Sequence, residues 1–132
     1  MFARACSTLV SLLEETGFEF ALHVQQDEAA IGVIDVRGTL GAAHADLLAE
    51  AMALVAAPAL VVSLAECASC SMLGLRALAR EHARRGRAMC VVASSYEDTR
   101  AALAAACPDC GLQVLGSVAA ARAAAEARLP AD

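Results

Sequence analysis

No lysine occurs in this 132-residue chain; all ten basic residues are arginine. Tryptophan is absent too, and aromatic residues make up 3% of a sequence that is 59% apolar. Much of the apolar content is alanine, which favours helix and buries little area per residue. The missing lysine and the alanine excess point to a GC-rich bacterial coding sequence. Positive charge is scarce: the net charge is −5. That argues against a protein held on nucleic acid by phosphate neutralisation. No apolar run approaches the roughly 20 residues that span a bilayer. The opening MFARACSTLVSLLEET soon meets Glu14 and Glu15 and offers no cleavage site, so it does not read as a secretion signal. A cytoplasmic location without membrane insertion is expected. There is no P-loop and no GxGxxG, and His23, His44 and His82 are scattered. No Ser-His-Asp set or carboxylate pair presents itself, so neither enzyme nor cofactor is expected.

What is present is alternation of short elements. Residues 3–16 fit a short amphipathic helix with Leu9, Leu12 and Leu13 on one side. FEFALHVQ (18–25) alternates, with Phe18, Phe20, Leu22 and Val24 on one face, as in a half-buried strand. AIGVIDVRG (30–38) is a second strand, and the short link predicts a hairpin. AAHADLLAEAMALVA (42–56) predicts a helix burying Ala43, Leu47, Leu48, Ala51, Leu54 and Val55 and leaving His44 outside that stripe. Pro58 blocks its continuation. ALVVSL (59–64) and AMCVVA (88–93) read as buried strands. MLGLRALAREHARRG (72–86) is helical, with Gly86 at its C-terminal end. Ser95 and Asp98 look like a capping box for the next helix, Pro108 ends that helix, and LQVL (112–115) and SVAAARAAAEARL (117–129) are a last strand and helix. After the hairpin the order is β-α-β-α-β-α-β-α. This predicts an α/β domain: a mixed, mainly parallel sheet of four or five strands with helices. The expected organisation is a helical extension over 1–17, the domain over 18–129 and a tail over 130–132.

The order of elements and three local strings resemble the STAS domain (sulfate transporter and anti-sigma-factor antagonist) over roughly residues 18–128. GTLG (38–41) is similar to the family's Gly-Glu-Leu-Asp turn. ALVVSLAEC is similar to its buried Val-Val-Leu-Asp-Leu-Ser strand. SMLGLRAL (71–78) is similar to its Asp-Ser-Ser-Gly-Leu-Arg-Ala-Leu turn and helix start, with Gly74, Leu75, Arg76 and Leu78 in register. The resemblance implies a non-catalytic interaction module of the anti-sigma-factor-antagonist type. Its partner would be an anti-sigma factor or another regulatory protein. An alternative within the family is the STAS subunit of a phospholipid-transport ABC complex, docked on an ATPase.

In phospho-regulated members a Ser in the Asp-Ser-Ser-Gly turn accepts phosphate from the partner kinase. Here Ser71 stands at the Asp, Met72 and Leu73 stand at the two Ser, and Leu73 occupies the usual acceptor position. Gly41 replaces the Asp of the earlier turn. The scaffold is kept and the acceptor is missing. Ser69 and Ser71 are candidates for a displaced acceptor, against the ordinary role of a turn Ser as a cap. The resemblance places a partner surface at Thr39, Met72 and Leu73. Arg76, Arg80 and Arg84, at i, i+4 and i+8, add a basic stripe, either a docking face for an acidic partner or a solvated face. Glu81 is expected to pair with Arg85.

Six cysteines include two CxxC pairs, Cys67–Cys70 and Cys107–Cys110. Such pairs are a zinc signature when they converge. The predicted topology keeps them apart: the first follows a strand and the second precedes one, at opposite ends of the sheet. Taken alone, Cys67 and Cys70, with His44 at the same end, are candidates for a thiol redox or metal site. Small apolar packing is the plainer role. A homodimer contact through the first helix is also open.

Overall fold

The computed structural model describes residues 6–13, 19–26, 31–106 and 113–127. A six-stranded sheet runs in sequence order: β1 (Cys6–Leu13), β2 (Glu19–Gln26), β3 (Ile31–Leu40), β4 (Ala59–Cys70), β5 (Met89–Val92) and β6 (Gln113–Leu115). β1, β2 and β3 are antiparallel neighbours, whereas β3–β4, β4–β5 and β5–β6 are parallel. The helices are α1 (Ala42–Leu54), α2 (Met72–Arg85), α3 (Glu97–Ala106) and α4 (Val118–Ala127). The mixed, mainly parallel α/β architecture is as expected, including the hairpin.

The strand order explains where the helices lie. α1, α2 and α3 each connect parallel strands that advance across the sheet in one direction. Crossovers share one hand, so all three must cover the same face. Their shared core holds Phe20, Leu22, Ile34, Leu48, Leu60, Leu64, Leu75, Leu78 and Leu103. α4 follows the last strand, closes no crossover, and is free to take the opposite face. There Ala121 and Ala125 pack on Ile31, Ala59, Val61, Cys90 and Val92.

The first segment corrects the sequence reading. Residues 6–13 are a strand rather than a helix, and the sheet therefore has six strands rather than four or five. Leu9, Leu12 and Leu13 fit a helical period, but a short apolar run carries both periods. Thr8 and Val10 are β-branched, and the free edge of β2 offers the hydrogen bonds an isolated short helix would lack. The register sets Val10 opposite Leu22 and Leu12 opposite Phe20. Residues 6–13 thus extend the sheet of the domain, and a dimer contact through a first helix has no helix to rest on. The 130–132 tail and the Cys107–Cys110 pair lie outside the described residues.

α1 is rotated relative to the expected stripe. It buries His44, Ala45, Leu48 and Met52, while Leu54 is 73% exposed. The helix is apolar nearly all round, so its sequence specifies the buried face weakly. The His44 ring supplies the missing instruction by stacking on Phe20, with centroids 4.3 Å apart and planes within 1°.

Candidate docking site at the carboxyl end of the sheet

β4 is longer than the apolar run that predicted it. Ala59–Leu64 is buried throughout, and Leu60–Ser63 pairs with β5. The strand then continues for six more residues, Ala65–Cys70, beyond the end of β5. Its backbone there is satisfied on one side by β3. On the other side, hydroxyls stand in for a strand. Ser95 Oγ donates to Ala65 O at 2.8 Å, Ser94 Oγ to Cys67 O at 2.8 Å, and Thr99 Oγ1 to Ala68 O at 2.9 Å. Buried carbonyls need such partners. The expected Ser95–Asp98 capping box is not what this loop does, because the Ser95 hydroxyl is spent on β4.

Two irregularities in the β3–β4 register decide where the cysteines sit. Asp35 pairs with Ser63 but Arg37 with Glu66, and Gly38 pairs with Cys67 but Thr39 with Ser69. Each shift places one extra residue in β4, as in a β-bulge. Gly38 absorbs part of this with φ 84°. An unbroken strand would send Leu64, Cys67 and Cys70 to alternating faces. Each bulge reverses the alternation, so all three face the helical core.

The chain then turns into α2. Ser71 N–H donates to Leu40 O at 2.8 Å, which ties the turn to the end of β3. Ser71 is the N-cap, and its Oγ accepts from Gly74 N–H at 3.1 Å. Gly74 is where the helix touches the sheet end. A Cβ built there would lie 2.7 Å from Leu40 Cδ2 and 3.2 Å from Cys70 Sγ. Leu75 and Leu78 enter the core, whereas Met72 and Leu73 are 57% and 49% exposed on the first turn. Arg76 is exposed on the next turn, and Arg80 is exposed one turn beyond it.

The structure therefore brings Thr39, Met72, Leu73 and Arg76 to one end of the molecule, while Arg80 and Arg84 lie further along α2. Arg84 pairs with Glu81 near the far end of α2. The expected Glu81–Arg85 pair is present, but it is buried rather than solvated. Arg85 also donates to Met52 O at 2.9 Å, Val55 O at 2.8 Å and Ala57 O at 3.0 Å, closing the C-terminal end of α1. Burial pushes the Glu81 carboxyl up, but hydrogen bonds from Arg84 and Arg85 outweigh it and hold the group below its ordinary value.

His44 is committed to structure. Gly41 N–H donates to its Nδ1 at 3.1 Å, so His44 reaches back over the start of α1. Thr39 O lies 3.1 Å from the same nitrogen. Among the described residues, no three His, Cys, Asp or Glu side chains gather where a metal ion could be held. The two thiols do meet. The Cys67 thiol is held below its ordinary value chiefly by the hydrogen bond from Cys70, against burial and with help from backbone N–H groups. The Cys70 thiol is pushed up by the same bond and by burial.

Sequence reasoning missed Tyr96, which is 46% exposed in the loop after β5. Parallel topology puts that loop at the same sheet end as the α2 turn. The signal was available in SSYEDT, an aromatic in a polar post-strand loop. On the opposite face, α4 leaves a cleft of about 300 Å³ lined by His23, Asp35, Arg37, Ser63 and Glu66 among others, with Arg37 and Asp35 paired at 2.8 Å. Among the described residues no helix is long and apolar enough to cross a membrane.

No family model and no curated protein sequence matches the chain. Solved structures do match. An anti-sigma factor antagonist from Mycobacterium paratuberculosis superposes with a TM-score of 0.68 over 89% of this chain and 94% of that one, at 22% identity. Identity that low speaks for architecture alone. The β3–α1 turn, the long β4 and the α2 turn described above are thus set in the fold of an anti-sigma factor antagonist, the STAS fold.

Proposed function

We propose that this chain is a non-catalytic regulator of the anti-sigma-factor-antagonist type, acting in the cytoplasm, and that it engages its partner without a phosphoserine switch at the usual position. One observation carries the reading. The first turn of α2 presents exposed Met72 and Leu73 where the resemblance puts the phosphoacceptor, and the nearest hydroxyl, that of Ser71, is held by Gly74 N–H.

A phosphate at this turn would be favoured by the helix N-terminus and would expel an apolar partner surface. An exposed Met-Leu pair does the opposite. It favours a partner with an apolar pocket and has no hydroxyl to modify. Met adapts to irregular surfaces. Arg76 beside the pair, with Arg80 one turn further along α2, suits an acidic rim on the partner and steers its approach. Thr39 and Tyr96 extend the surface across neighbouring loops. Ser69, exposed at the end of β4, remains an accessible hydroxyl within this surface.

The test is binding to purified anti-sigma kinase from the native host, by calorimetry, with and without ATP. Binding should survive ATP, fall at least tenfold in Met72→Ser/Leu73→Ser, and leave the turn unlabelled by mass spectrometry. Phosphate on Ser69 or Ser71 would overturn the absence of the switch. Unchanged affinity in the double variant would overturn the surface.

A further inference from the structure

We propose that Cys67 and Cys70 form a redox-sensitive dithiol, closed to a disulfide by a low-molecular-weight disulfide such as glutathione disulfide, and that closure loosens the start of α2. The effect on a partner rests on the docking function proposed above; the dithiol and its local consequence do not.

Placement is the first argument. A CxxC in an unbroken strand cannot close, because residues three apart face opposite ways. The bulge between Gly38–Cys67 and Thr39–Ser69 removes that obstacle and turns both sulfurs to one side. The second argument is contact. The thiols are free; Cys67 Sγ donates to Ser69 O at 3.3 Å and Cys70 Sγ to Ser71 O at 3.6 Å, and the two sulfurs lie near enough to perturb one another. Cys67 is fully buried, while Cys70 is half-buried and gives an oxidant its access. The two sulfurs perturb one another in opposite senses, Cys67 towards its thiolate and Cys70 away from it.

The chemistry balances. One sulfur of the pair attacks the oxidant's S–S bond as its thiolate, forms a mixed disulfide and releases one thiolate. The other sulfur, once deprotonated, attacks the protein-side sulfur of that mixed disulfide and releases the second. Two protons and two electrons leave the pair, and one disulfide becomes two thiols. Dithiols of this transient kind are the usual form of disulfide in a reducing compartment.

The consequence lies under α2. Disulfide sulfurs sit about 2.05 Å apart, well inside hydrogen-bonding separation. Cys70 must therefore shift towards Cys67. Cys70 is the residue before the Ser71 cap, and its sulfur lies 3.2 Å from where a Gly74 Cβ would be. Moving it disturbs the cap and the contact that seat the first turn, the turn that carries Met72 and Leu73.

The experiment needs no partner. The purified full chain is equilibrated in glutathione buffers of graded disulfide-to-thiol ratio, trapped with maleimide, digested and mapped by mass spectrometry. Amide exchange over residues 71–76 is followed in parallel. A Cys67–Cys70 disulfide is expected, with exchange over 71–76 rising several-fold and returning on reduction. Cys67→Ser, or Cys67→Ala where the first does not fold, should stop at a glutathione adduct on Cys70 and show no return-sensitive loosening. Both thiols still alkylated at the most oxidising ratio would overturn the proposal. So would a bridge from either thiol to Cys6, Cys90, Cys107 or Cys110 in its place, or a Cys67–Cys70 disulfide with unchanged exchange. Because neither readout involves the anti-sigma kinase, failure here leaves the docking function standing, and failure of docking leaves this result standing.

Discussion

Gly74→Ala tests how tightly α2 is seated on the sheet. At an unencumbered helix position alanine is better than glycine by at most about 1 kcal/mol. Here the added methyl would sit 2.7 Å from Leu40 Cδ2, 3.0 Å from Leu40 Cγ and 3.2 Å from Cys70 Sγ. The end of a leucine side chain can sometimes swing aside, but Leu40 is fully buried and Cys70 closes the other flank. Overpacking of this kind costs about 1–3 kcal/mol. Set against the propensity gain, the net loss should be about 1 kcal/mol, or roughly 4 °C in Tm for a chain of this size. Urea and thermal unfolding read it directly. Gly116→Ala, with nothing within 4 Å of the new methyl, is the control. It should move stability by no more than about 0.5 kcal/mol. Leu40→Ala should shrink the Gly74→Ala penalty in a double-mutant cycle, because the two closest atoms are gone and only the Cys70 sulfur still crowds the methyl. A Gly74→Ala protein stabilised by about 1 kcal/mol would refute the close seating.

Four other outcomes follow from the same geometry. Arg85→Ala strips a buried partner from Glu81 and three carbonyls of α1's end, so chemical denaturation should show a loss of about 3 kcal/mol. Glu81 has a folded-state pKa below its unfolded value; its contribution is present above about 4.5 and is lost as pH falls through the folded value. Glu81→Gln should therefore be less stable than the native chain at neutral pH and approach it in acid. Thr99→Val removes the donor to Ala68 O, and the cost should be about 1–2 kcal/mol with faster amide exchange along Ala65–Cys70. Leu73→Ser, on an exposed position, should leave stability within about 0.5 kcal/mol and offer a kinase the hydroxyl that this turn lacks.

Much of the fold was legible because local signals and tertiary needs agreed. β2 alternates cleanly, the first half of β4 is continuously apolar, and Gly74 stands where packing admits no side chain. The same motif that carries the family resemblance is therefore explained by a contact with Leu40. Other features were set by partners distant in sequence. β1 is a strand because β2 offers an edge. α1 faces the core through His44 because Phe20 lies beneath it. The two bulges come from pairing with β3, with Gly38 at positive φ, and nothing in CASC announces them. The role of Ser94, Ser95 and Thr99 arises only because β5 ends before β4 does. Glu81 and Arg85 were legible as a pair, but the α1 carbonyls that make the pair buried were not.

Under the proposed function, the α2 turn binds its partner constitutively. Isothermal titration of the anti-sigma kinase in the presence of magnesium and ATP, with intact-mass analysis of the chain afterwards, tests it most directly. Undiminished affinity over hours and a mass without added phosphate are expected. Affinity that decays with ATP as a phosphate appears on Ser69 or Ser71 would contradict it.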